Sequence, residues 1–255
     1  MEILALTPPA GAMCRRRLLD SKGITADIVT HHTFGHTATA LALTLPEPRR
    51  ALSSLQGLKR LTGAVNCCLP ASLQQELGDR PAAWHRYYRA VTGLLFPGVP
   101  CRHLAVLSTG VDIDFLAVQT ECCAGISVTA LVTAGVKSNA LRAGTDTSTV
   151  DRHHPEKAGT INTIILTDAS LPVSAMAASF ITITEAKVAA LQDLDIRSTF
   201  TPALPATGTG TDAILVISGN GARCQYVGGH TKPGEMMARA VATATTNALK
   251  NTYGL

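Results

Sequence analysis

The stretch Thr37–Leu45, TATALALTL, sets Ala38, Ala40 and Ala42 against Leu41, Leu43 and Leu45. Residues two apart share one face of a strand, so this alternation predicts a strand that Pro46 and Pro48 end. A short second strand is expected near Gly63–Cys68. The period then changes. Leu73 and Leu77 fall on one helical face, and Gly78 and Pro81 break that helix. A second helix is expected from Pro81 to Leu95, with Trp84, Tyr87, Tyr88 and Val91 at three- and four-residue spacing. HLAVLSTGVDIDFLAVQT reads as a strand, a turn at Ser108–Gly110, and another strand.

The C-terminal half is cleaner. GISVTALVTAG (Gly125–Gly135), GTINTIILTD (Gly159–Asp168) and AILVISGNG (Ala213–Gly221) are β-branched, strand-like runs. Between the last two, LPVSAMAASFITITEAKVAALQDLDI has helical composition; Val188, Leu191 and Leu194 fit one face, and Glu185 is read as opening a helix. A final helix begins near Pro233, whose fixed φ suits a first turn, and carries Met237, Val241, Ala244 and Ala248 as its apolar stripe. The mixture predicts an α/β or α+β fold, a mixed β-sheet core with flanking helices in one domain. Residues 1–40 form a segment of uncertain fold, and a second small N-terminal domain stays open.

Composition narrows this. The chain has 255 residues, 46% hydrophobic and 16% charged, which is globular and long enough for a large core. Net charge is only +4, from 22 Lys+Arg and 18 Asp+Glu, so no basic stripe for nucleic acid is expected. Arg15-Arg16-Arg17 reads as a solvated face. The N-terminus lacks a basic stretch before its short apolar run, and no long uninterrupted apolar window occurs. No membrane span is expected. Seven cysteines, with no CxxC and two adjacent pairs, read as reduced and mostly buried in a cytoplasmic protein.

Polar residues recur at strand ends and turns: Asn139, Asp146, Asp151, Asn162, Glu185, Asp212 and His230. Ligand sites of open α/β sheets gather at such turns. Asp212, at the junction of the loop ATGTGT with a buried strand, also suits an Asx turn. Glu185 also suits a first-turn carboxylate facing a helix dipole. His230, among Gly228, Gly229 and Gly234, is the candidate proton carrier, since glycines let a ligand approach closely. His31, His32 and His36 lack the glutamate and helical setting of an HExxH zinc site, so no metal is expected. No GxSxG or phosphate-loop motif appears.

TAGVKSNALRAGTD (Thr133–Asp146), GTINTIILTD, TEAKVAALQDL (Thr184–Leu194), ATGTGTDAILV (Ala206–Val216) and YVGGHTKPGE (Tyr226–Glu235) resemble, in this order, the adenosylcobinamide amidohydrolase family of corrinoid salvage. LPEPRRALSS (Leu45–Ser54) is similar to an earlier segment of that family. The likeness covers about residues 41–255. It implies hydrolysis of the amide between the corrin-ring side chain and aminopropanol, giving adenosylcobyric acid and 1-amino-2-propanol. A corrinoid is then the expected partner, with no cofactor, nucleic acid or membrane.

Amide hydrolysis needs an activated water or hydroxyl, a stabilised oxyanion and a protonated leaving amine. These demands nominate His230 as general base and acid, with Glu185 or Asp212 orienting it. Asn139 and Asn162 would donate to the oxyanion or to ring amides. Thr207, Thr209 and Thr211 would line the substrate, and Thr160 is an alternative nucleophile. A non-catalytic corrinoid binder stays open, although Asp151-Arg152-His153-His154-Pro155-Glu156 ends in Glu where a DxHxxG cobalt motif has Gly. So does an amidohydrolase or acyltransferase with another substrate.

Overall fold

The computed structural model describes residues 13–147 and 159–254. The strands are β1 (Cys14–Ser21), β2 (Ile24–Thr33), β3 (His36–Ser53), β4 (Gly57–Cys68), β5 (Leu104–Thr109), β6 (Ala117–Cys123), β7 (Ile126–Ala134), β8 (Ile161–Thr167) and β9 (Ala213–Ile217). The helices are α1 (Ala71–Leu77), α2 (Pro81–Leu95), α3 (Val173–Asp193) and α4 (Lys232–Tyr253). Asp151 and the His153-His154 pair lie outside the described residues.

The strands form one bonded network in the order β1-β2-β3-β9-β8-β7-β6, with β4 on β3 and β5 on β4. Most pairings are antiparallel; β4–β5 and β8–β9 are parallel. The fold is a mixed α/β single domain. Residues 14–40, expected as a segment of uncertain fold, supply β1, β2 and the start of β3. Residue 40 falls inside β3, with Ala40 opposite Val29 on one side and Cys67 on the other. Residues 103–120 hold the two expected strands, each paired elsewhere: β5 joins β4, and β6 joins β7, with a 3-10 turn at Ile113–Phe115 between them.

Pro46 and Pro48 do not end the strand. β3 runs to Ser53 and carries both prolines where its register against β4 shifts, between Thr44 and Arg49. A proline withholds one N–H, and an irregular register leaves residues unpaired there, so the two coincide. Before the shift β3 pairs with β2; after it, Ala51–Ser53 pair with Ile217–Leu215 of β9.

That crossing divides the network into two stacked layers. Between them lies one apolar cluster, including Ile28, Leu41, Leu43, Ala64, Leu107, Leu131, Ile164 and Leu215. Alternate residues face outward. Ile161, Ile165, Val132 and Val216 meet α3 and α4, while Ala40, Ala42, Val65 and Cys67 meet α1 and α2. Tyr87 and Val91 of α2 and Leu73 and Leu77 of α1 are buried there, as their spacing predicts, with Trp84 and Tyr88 half-buried beside them.

α3 begins at Val173, just after Pro172, so Glu185 sits in its middle and not in its first turn. By length and composition α3 could cross a membrane. Its Ala175, Met176, Ser179, Ile183, Ala190 and Leu191 are buried against the protein. α4 has Pro233 in its first turn, and its Thr231 cap accepts from the Gly234 N–H. The cysteines all carry free thiols, but only Cys67 and Cys68 are buried; Cys14, Cys101 and Cys122 are exposed.

Candidate functional site

The parallel pair β8–β9 has two ends, and the candidate residues divide between them. At the amino end, Asp212 precedes β9. Its Oδ1 accepts from the Ile161 N–H at 3.0 Å and from the Thr209 hydroxyl; its Oδ2 meets the Lys187 ammonium at 2.5 Å. The side chains of Lys187 and Asp212 are 12% and 15% exposed, so this is a largely desolvated pair. Gly208 must be glycine here: a Cβ would lie 2.4 Å from Asp212 Oδ2 and 2.8 Å from Lys187 Nζ.

The neighbouring loops are stitched to the same end. Asn139 donates to the Gly159 carbonyl at 2.5 Å, and Thr211 donates to it at 3.0 Å. Thr160 donates to the Thr211 carbonyl at 2.9 Å. Thr207 Oγ1 accepts from the Ala143 N–H at 2.9 Å. Asp146 accepts from the Arg142 N–H, Ser198 and Thr201, which holds its carboxyl below the usual range. Asn162 lies on the inner face of β8. Its amide donates to Asn66 Oδ1 of β4 at 2.9 Å and to the Ser108 carbonyl of β5 at 2.8 Å. Asn66 in turn donates to Thr133 at 3.1 Å, joining the two sheet layers. Asn139, Asn162, Thr207, Thr209, Thr211 and Asp212 are thus gathered at one end.

The arrangement says what these groups can do. Asp212 already takes several donors, one of them an ammonium, so its oxygens are engaged within the protein. Asn162 is 1% exposed and both of its amide hydrogens are used. These residues bind the protein to itself. The nearby thiols of Cys67 and Cys68 are pushed up to about 12 and about 11, burial being the main cause, so neither is a ready nucleophile.

His230 lies elsewhere. It is exposed and lines an open groove of about 360 Å³ with Ser174, Ala178, Gln225, Tyr226, Val227 and Gly228. Ser174 and Ala178 belong to the first turns of α3, which follows the carboxyl end of β8. Lys187, beside Asp212, is nine residues beyond Ala178, or about 14 Å along the helix axis. Glu185 is exposed on that same helix. Among the described residues no hydrogen bond joins His230, Glu185 and Asp212, so the expected trio is not one constellation.

The groove has features the sequence reading passed over. α3 has no side-chain cap at Pro172, so its first N–H groups are left without a side-chain acceptor. Ser174 stands among them. Tyr226 is 65% exposed beside His230. Lys187 was also passed over, because its partner is 25 residues away; its only signal was the lone cation in an apolar helical run. His31, His32 and His36 are divided. His31 is buried, His32 is exposed, and His36 bonds Glu76 and Ser72.

Comparison with known proteins addresses the chain as a whole. An uncharacterized protein of Methanocaldococcus jannaschii is 38% identical over 222 residues, covering 82% of this chain and 85% of the relative. A crystal structure of a Pyrococcus horikoshii protein aligns over 94% of this chain and 83% of its own, at 13% identity and a TM-score of 0.35. The model of the CbiZ family, described as adenosylcobinamide amidohydrolase, matches residues 25–255. With that match running from β2 to the last residue, the chain belongs to the CbiZ adenosylcobinamide amidohydrolase family.

Proposed function

We propose that the protein hydrolyses the amide joining aminopropanol to the corrin side chain of adenosylcobinamide, releasing adenosylcobyric acid and 1-amino-2-propanol. The observation that carries this reading is the family match across residues 25–255. The groove at the carboxyl end of β8–β9 is the proposed place of reaction, since ligands of α/β sheets sit at such ends. A corrinoid exceeds 360 Å³, so it lies across the rim with only its amide arm inside. Tyr226 offers that arm or the ring edge an exposed aromatic face.

In this scheme His230 takes a proton from the attacking water or from the Ser174 hydroxyl. The carbonyl carbon becomes tetrahedral, and the uncapped N–H groups at the start of α3 receive the oxyanion. His230 then returns the proton to the amine as the C–N bond breaks, and water supplies the new acid's hydroxyl. Asp212 with Lys187 holds the loops at the other end, and Glu185 serves at most from the exposed flank of α3.

The test is incubation of the purified protein with adenosylcobinamide, followed by chromatography for a new acidic corrinoid. The wild type forms it, and His230→Ala lowers turnover by about 10²–10⁴-fold, the usual contribution of general acid–base catalysis. A spectral change without acid product would instead mark a corrinoid binder. Full turnover by His230→Ala would remove that residue from the scheme.

A further inference from the structure

α3 is long and apolar enough to cross a membrane, yet only 39% of its most apolar stretch is buried. A helix that is apolar all round is normally covered all round. The uncovered side runs along the His230 groove. Ser174 and Ala178 line that groove, and Ala177 and Ile181 each follow three residues later, so neighbouring side chains of the row lie about 5–6 Å apart. From Ser174 to Ile181 the row is about 10 Å long. Ile181 is 63% exposed, and Val173, beside Ser174, is 42% exposed. On the other wall Tyr226 is 65% exposed. These are three of the eight large apolar side chains left exposed among the described residues. Single exposed apolar residues are ordinary, but an apolar patch continuous with a cleft marks a binding surface.

The two walls are fixed to each other. Thr182, buried on the inner side of α3, donates from Oγ1 to the Val227 carbonyl at 3.0 Å. A Cβ at Gly234 of α4 would lie 2.0 Å from the Gly228 carbonyl oxygen, so glycine lets α4 press on the same loop. The segment that carries Tyr226 is thus clamped between α3 and α4, and a seat built from both walls has little freedom to lose on binding. The exposed positions of α3 from Val173 to Gln192 carry one charge, that of Glu185, and no cation. A helix that lies on an anionic membrane carries Lys or Arg beside its apolar side. A flat ligand with an apolar face fits this surface instead: Tyr226 can stack on it, and the alanines let it approach closely.

We propose that the outward row Ala177, Ala178 and Ile181, with Tyr226 on the facing wall, seats the corrin macrocycle while the amide arm enters the groove. The identity of the ligand rests on the amidohydrolase reading; the seat itself needs no turnover. The test therefore uses adenosylcobyric acid, which keeps the ring and lacks the scissile amide, in equilibrium dialysis. The wild type binds it saturably. Tyr226→Ala weakens binding about tenfold, the scale of one stacked aromatic contact, and Ile181→Gln weakens it several-fold. Phe115→Gln, at another exposed apolar position beside Asn251 near the far end of α4, leaves binding unchanged. With adenosylcobinamide, Tyr226→Ala and Ile181→Gln raise KM by more than they lower kcat. Both side chains are exposed, so neither substitution threatens the fold. A wild type without affinity for the ring overturns the proposal, as do two variants that bind like the wild type. So does a wild-type dimer that Ile181→Gln turns into a monomer, since a second copy would then cover the row. Ring binding without turnover removes the amidohydrolase reading and keeps the seat; turnover with KM unchanged in both variants does the reverse.

Discussion

At the scale of single residues, the Asp212–Lys187 pair shows how a polar motif nominated for chemistry can serve the fold. The loop ATGTGTD required a reason for its carboxylate, and the reason is internal: Asp212 neutralises an ammonium that α3 brings into a nearly dry site. Asp212→Ala leaves Lys187 with no counter-charge. The expected loss is about 3–5 kcal/mol in urea unfolding, with partial recovery when Lys187→Met is added. His31 makes a second case. Burial, with some help from His32, drives it down to about 4 from 6.5. The unfolded chain then binds the proton first as the solution is acidified. The His31 contribution is whole above about pH 6.5 and is lost as pH falls toward 4. That amounts to roughly 3 kcal/mol. In paired unfolding titrations, His31→Leu should flatten that interval relative to the wild type; parallel curves would refute the assignment.

At the scale of elements, legibility followed the strength of the pattern. α2 and α4 were readable because Tyr87, Val91 and Leu95, or Met237, Val241, Ala244 and Ala248, fall on one face and are buried. β7, β8 and β9 were readable from β-branched runs bounded by glycine or aspartate. β1 was not, because an edge strand needs few apolar positions and this one carries Arg15, Arg16 and Arg17, with partners in Asp27, Asp114 and Asp20. The prolines of β3 misled because sequence cannot distinguish a strand's end from an irregularity within it. Glu185 misled for another reason: a carboxylate suits a first turn, but the helix has already run from Val173 when it reaches that residue. The candidate site was legible in the same measure. Asn139, Asn162, Asp212 and the threonines beside it gather at one end, His230 and Glu185 do not join them, and partnership across long separations, as for Lys187 or Asn66, leaves no local trace.

At the scale of the whole molecule, the two sheet layers meet through an apolar cluster and a small buried polar bridge. Asn162, Asn66, Thr133 and the Ser108 carbonyl draw on β8, β4, β7 and β5. Asn162→Ala removes the donor that satisfies both Asn66 Oδ1 and the Ser108 carbonyl. The expected cost is about 1–3 kcal/mol per orphaned acceptor, measured by denaturant midpoint, with the fold retained by circular dichroism. A variant of unchanged midpoint would show that water replaces the amide there.

One strand has the largest reach. β3 is the common hem of both layers, paired first with β2 and then with β9. Neither half of the protein can be peeled away while that thread is whole. A backbone cut at Pro46–Pro48 would leave each fragment holding only part of the seam, so that neither piece completes its own sheet. Such fragments, made apart, should stay soft and disordered alone and regain shape only on mixing, a behaviour more familiar from split reporters than from two-domain enzymes.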